Sequence, residues 1–220
     1  MAARPQSISD LPRSVPILPL AGAILLPRTH RPLNIFEPRY VALVDEMLGA
    51  DRLVGLIQPR DVSRESPEGM VPLQQVGSIG RLVQFEEEED GRYLILLEGV
   101  CRFQLGNEKF TGKTFRRFEI DTSPFAADFD AAFGEAAVDR PRFVEMIRNY
   151  ARFAELDINW DEIKQTGTAD LVNICCMMSP YGAAEKQALL EADSLVSRAE
   201  TLIAMAEIEM ARELGSNTLQ

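Results

Sequence analysis

Hydrophobic positions change period once along the chain. In the first half the apolar runs are short, broken by Pro and Gly, and several alternate with polar positions as strands do. The clearest runs from Ile79 to Phe85, with Ile79, Arg81, Val83 and Phe85 on one face and Gly80, Leu82 and Gln84 on the other. It leads into an acidic stretch, then Asp90-Gly91, then a second run from Tyr93 to Leu97. Asp-Gly tolerates the positive φ of a type I′ turn, so a hairpin with that turn is predicted. Further strands are predicted at Val100 to Leu105, Phe115 to Ile120, Val15 to Leu18, Leu33 to Phe36 and Leu53 to Gln58. One helix interrupts them. Pro38 suits a first helical position, Val41, Val44 and Leu48 recur at helical spacing, and Gly49 marks the end.

From about residue 139 the period becomes helical. Phe143, Met146, Ile147, Tyr150 and Phe153 form one stripe, and Val196, Ala199, Ile203, Ala206 and Met210 another. Leu171 to Met178 is apolar nearly all round, as a central bundle helix is, and a new helix is expected from Pro180 to about Glu191. Strands followed by helices predict an α+β protein. Ser123 to Phe133 keeps no period and reads as a linker.

Charge divides the 220 residues in the same place. Residues 1 to 120 are nearly neutral at −1, whereas residues 121 to 220 carry −10 of the total −11. An acidic surface repels a phosphate backbone, so nucleic acid is an unfavoured partner. Three cysteines, two of them adjacent at Cys175 and Cys176, form neither a disulfide framework nor C-x-x-C zinc pairs. The opening residues lack the apolar core of a signal peptide, and the uncharged stretch Val15 to Pro27 is too short and too proline-broken to span a membrane. The expectation is a reduced, cytoplasmic protein with no membrane partner.

Gly106 to Thr114 (GNEKFTGKT) approaches a phosphate-binding P-loop, but five residues rather than four separate its glycines, and a strand pattern rather than a helix follows. It reads as a loop between strands. His30, the only histidine, stands between Arg28 and Arg31 with no carboxylate spaced to orient it, and G-x-S-x-G is absent. Glu86 to Asp90 reads as a solvated hairpin tip without the alternating ligands of a calcium loop. Cys175-Cys176-Met177-Met178 reads as helix core. No catalytic residue, cofactor or metal site is assigned.

A more specific pattern begins at Val15-Pro-Ile-Leu-Pro-Leu20, continues through Leu26-Pro27, and ends on Ile35-Phe36-Glu37-Pro38-Arg39-Tyr40. Val76-Gly77-Ser78-Ile79-Gly80, Glu98-Gly99-Val100-Cys101-Arg102-Phe103, Leu171-Val172-Asn173 and Glu185-Lys186-Gln187-Ala188-Leu189-Leu190-Glu191 follow in order. Together they resemble the amino-terminal, substrate-binding domain of the Lon protease family, over about Leu11 to Leu214. One departure stands out: Leu26-Pro27-Arg28-Thr29 replaces the family's F-P-G turn. Pro38 and Glu37 suit a helix start, so Glu37 and Arg39 are expected to be structural.

The resemblance implies a PUA-like β pseudo-barrel with one inserted helix at residues 11–122, followed by a C-terminal helical bundle at 138–214. A disordered tail at 1–10, a linker at 123–137 and a tail at 215–220 complete the expected organisation. The ATPase P-loop and the serine peptidase motif of full Lon proteases are absent from the sequence, so a stand-alone, non-catalytic module is expected, recognising unfolded or flexible polypeptide segments as a bacterial quality-control adaptor, with a separate ATPase as a conceivable partner. A small-ligand or regulatory domain is the alternative, and RNA binding ranks third. The binding surface is expected on the barrel at Leu26, Arg28, Arg31, Phe36 and Tyr40.

Overall fold

The computed structural model describes residues 4–60 and 71–217. Six strands, β1 (Ser14–Pro19), β2 (His30–Ile35), β3 (Leu53–Ile57), β4 (Val76–Glu87), β5 (Tyr93–Lys109) and β6 (Arg117–Asp121), form one sheet in the order β2-β5-β4-β3-β1-β6. β5 closes it. Its first half lies between β4 and β2, and its second half, Gln104 to Lys109, pairs with β6, so that β5, β4, β3, β1 and β6 make a ring. The α+β fold and the pseudo-barrel are as expected, and helix α1 (Pro38–Gly49) is inserted between β2 and β3.

Two local expectations change. The runs Tyr93 to Leu97 and Val100 to Leu105 are one strand, because a bulge between Gly99 and Cys101 shifts the register without ending the pairing. At the hairpin, only Gly91 takes a positive φ, at 80°, and Glu88 both accepts from the Gly91 N–H and donates to the Arg92 carbonyl. That is a three-residue loop with glycine in the left-handed position, rather than a type I′ turn.

A ring of five strands encloses little space, and Phe103 fills it. Gly77 stands opposite Phe103 in the register, where a Cβ would lie 2.6 Å from the ring, and a Cβ on Gly55 would lie 2.5 Å from Ile17. Small residues on the facing strands therefore make room for a large one on β5. Val15, Ile17, Leu53, Ile79 and Phe118 complete this core. On the outside of the ring α1 packs Leu43, Val44 and Met47 against Leu18, Leu56 and Tyr93.

The second half comprises α2 (Arg140–Phe153), α3 (Trp160–Gln165), α4 (Thr168–Met178), α5 (Ala183–Glu191) and α6 (Leu195–Asn217). α3 is an addition to the sequence reading; the Asn159 side chain caps it by accepting from the Asp161 and Glu162 N–H groups. Phe143, Leu171, Val172, Cys176, Leu189 and Ile203 meet in the bundle core, and Ile24 and Leu26 from the first half join them. The stretch expected as a linker, 123–137, forms 3₁₀ turns at Ser123–Phe129 and Glu135–Ala137. The tails differ as well: Ser7 and Asp10 build a capping box around a 3₁₀ turn at Ile8–Asp10, and Arg4 pairs with Glu98 at 3.2 Å. At the other end α6 continues to Asn217, and the rest of the expected tail lies outside the described residues.

Candidate functional site

Buried polar side chains join barrel to bundle, and several belong to the quoted sequence signatures. Arg102, from β5, donates through Nε and Nη2 to Asp128 at 3.0 and 2.9 Å and through Nη1 to the Leu190 and Ala192 carbonyls. Asp128 thus pins the 3₁₀ segment to the barrel. Gln187 donates to the Val76 carbonyl and accepts from Gln58, which also donates to the Ala183 carbonyl. Lys186 donates to the Cys176 and Met177 carbonyls, both at 2.7 Å, and so closes the C-terminal end of α4. Burial, with Arg31 nearby, lowers its ammonium from 10.5 to about 8. These groups hold the fold; their hydrogen bonds are internal.

The five residues expected at a binding surface divide between two places. Leu26 is fully buried in the bundle core, so it cannot meet a partner. Arg28 turns into the junction, where Nε donates to Asp170 at 2.9 Å and the terminal nitrogens reach the Asp128 and Ala131 carbonyls. Its φ is +65°, and its N–H donates to the Gly99 carbonyl. Pro at the second and a positive φ at the third position mark a type II turn, so Arg28 occupies the place glycine would take. Arg31 donates to the Ile24 carbonyl, and burial lowers its guanidinium. The whole Ala23 to Leu26 segment is buried: Ile24 and Leu26 enter the bundle core, and Leu25 enters the cluster packed by α1.

Phe36 and Tyr40 remain available on the other side of the barrel. Glu37 caps α1 through its carbonyl, Pro38 takes the first turn, and the Glu37 carboxylate pairs with Arg39 at 2.8 Å. Arg39 in turn lies 4.7 Å over the Tyr40 ring. Phe36, immediately before this start, is 65% exposed. Next to it opens a groove of about 690 Å³ between the start of α1, the end of β1 and the β5–β6 loop, lined among others by Tyr40, Pro19, Phe110, Lys113 and Phe115.

Sequence reading missed the β5–β6 side of this groove. The P-loop-like segment ends β5 and turns through Gly112 (φ +67°) into β6, with no helix to receive a phosphate. At its tip Phe110 is 99% exposed. A lone aromatic in a polar run was the available signal. The cations of this wall are paired: Arg116 makes a two-point bridge to Glu108 at 2.8 and 2.7 Å, Lys109 meets Glu119, and Lys113 meets Glu46. The Arg116 hydrogen bonds hold the Glu108 carboxyl below its usual range.

The sequence pattern and the fold both recur in known proteins. The profile of the ATP-dependent protease La (LON) substrate-binding domain matches residues 14–207. The chain belongs to the Lon substrate-binding domain family. It is 30% identical to Lon protease 2 of Sorangium cellulosum over 207 residues, covering 90% of this chain and 25% of that protein. With a Lon protease of Parabacteroides distasonis the identity is 28%, over 90% of this chain and 24% of the other. The chain thus spans about a quarter of the length of these relatives. Two solved Lon N-terminal domains share the fold. The Xanthomonas campestris protein matches with a TM-score of 0.61 at 21% identity, over 87% of this chain and 97% of the other; the Mycobacterium avium complex domain gives 0.64 at 18%, over 88% and 98%.

Other sequence candidates are structural. His30 opens β2 opposite Glu98, and Cys176 sits in the bundle core with its thiol pushed up to about 12 by burial. Among the described residues no group of His, Cys, Asp or Glu is placed to hold a metal ion, and no helix is long and apolar enough to cross a membrane.

Proposed function

We propose that this Lon-type domain binds short segments of unfolded or flexible polypeptide in the groove between α1 and the β5–β6 loop, with Phe36, Tyr40 and Phe110 as apolar contacts. The exposure of Phe110 carries the reading. A Phe with 99% of its surface in water contributes nothing to the fold and gains roughly 1.5–3 kcal/mol if a partner buries it. The neighbouring cations already face carboxylates, so the groove offers no surplus positive charge to RNA. Leu26, Arg28 and Arg31 are assigned to the fold and not to the site. The role is that of a non-catalytic adaptor in cytoplasmic quality control, delivering clients to a separate ATPase.

Titration with an unfolded labelled model protein, followed by backbone amide shifts, tests this. Shifts are expected at Phe36 to Tyr40 and Phe110 to Arg116, and Phe110→Ser should weaken binding about tenfold without lowering stability. Shifts confined to 139–213 would refute the placement. Absence of binding at millimolar client would favour the small-ligand reading.

A further inference from the structure

A second groove lies on the bundle, far in chain position from the barrel site, and it inverts the charge of its surroundings. It encloses about 480 Å³ between α2 and α3, with Val144, Leu156, Trp160 and Ile163 as apolar lining and Arg148, Arg152 and Lys164 as the charged residues. No carboxylate lines it, although this half of the chain carries a net charge of −10. Lys164 pairs with exposed Asp161 at 2.8 Å. Arg148 lies 5.4 Å over the Trp160 ring, and neither it nor Arg152 makes an ion pair among the described residues. The two arginines are four residues apart on α2, a spacing at which like charges repel along a helix surface. Leu156, in the turn between the helices, is 53% exposed.

We propose that this groove docks an acidic amphipathic segment of a partner protein, its apolar side chains over Leu156 and Trp160 and its carboxylates on Arg148 and Arg152. Charge complementarity selects this occupant. Carboxylates relieve the repulsion between the arginines, which are the groove's cations without a carboxylate partner among the described residues, Lys164 being met by Asp161. A long polyanion or an anionic membrane would extend over the whole acidic surface and be repelled. The partner differs from the barrel's clients in being defined by its negative charge.

Trp160 is the only tryptophan of the chain, so its emission reports occupancy directly. The probe is a capped 16-residue peptide with Leu at helical spacing and Glu elsewhere, compared with the same peptide carrying Lys for Glu. The Glu peptide should shift the emission saturably and lose affinity as salt is raised, and the Lys peptide should bind at least about fivefold more weakly. Arg152→Glu, which leaves the Arg148–Trp160 stack in place, should weaken the Glu peptide by about threefold to fivefold, with an unchanged thermal melt. Phe110→Ser should leave this binding intact, which separates it from the barrel site. Equal affinity for both peptides, no saturable response to either, or stronger binding to phosphatidylglycerol vesicles than to the Glu peptide would overturn the assignment.

Discussion

Arg28 shows how much one side chain can be asked to offset. Its left-handed backbone is unfavourable for any residue with a Cβ, yet its guanidinium gathers Asp170 and two carbonyls of the 123–137 stretch. Arg28→Gly and Arg28→Ala both delete those bonds, but only glycine relieves the φ. Urea denaturation should find the glycine variant more stable than the alanine variant by about 1 kcal/mol. Lys186 gives a pH signature. Its folded value of about 8 lies below its ordinary 10.5, chiefly because of burial. Below about pH 8 both states carry the charge and the fold bears the cost of burying it; between about 8 and 10.5 the unfolded chain holds a proton that the folded chain has shed. Stability of the wild type relative to Lys186→Met should therefore rise with pH across that window, and denaturation at pH 7, 8.5 and 10 measures the slope. A relative stability that is flat or falls with pH would contradict the buried, weakly basic Lys186.

At the scale of elements, sequence patterns were informative wherever one face of an element meets one core. β4, α1, α2 and α6 all coincide with runs whose apolar positions repeat at 2 or 3.6 residues, whereas β1 is a continuous apolar run buried on both faces. The failures lie where a remote contact decides. The Ser123 to Phe133 stretch lacks a period because its order comes from Asp128 meeting Arg102 and from Arg102 lying 4.6 Å over Phe125, contacts between residues 23 and 26 positions apart. Chymotrypsin should accordingly cut after Phe110, in an exposed loop, before it cuts after Phe125 or Phe129, and mass spectrometry of early fragments checks the order. Early cleavage after Phe125 would mean that the Arg102 anchor does not hold in solution.

Across the whole molecule, barrel and bundle share a boundary made of core side chains and buried hydrogen bonds. Ile24 and Leu26 lie in the bundle core, Gln58 and Gln187 join β3 to α5, and Asn173 donates to the Pro27 carbonyl. Opening that boundary exposes apolar surface and unpaired polar groups together, which couples the two halves. Thermal unfolding followed by far-ultraviolet circular dichroism and by Trp160 emission should give coincident transitions, although the tryptophan reports only the bundle. Two separated transitions would show that the halves are independent domains.

Local periodicity and short contiguous signatures encode the class of fold, the place where strands give way to helices, and the family, so all three are legible along the chain. Which residues of those signatures are free depends on how the elements pack against one another. Ile35 to Tyr40 reads as one motif, yet Ile35 is core, Glu37 and Pro38 start a helix, and Phe36 faces water. Leu26 and Phe110 are apolar residues in proline- or glycine-punctuated stretches, and hydropathy cannot rank them; one is fully buried and the other 99% exposed. The difference arises because the bundle packs over Leu26 and nothing in the described chain covers Phe110. Burial is a property of what the rest of the chain brings alongside, and both grooves exist only where it leaves an apolar surface uncovered.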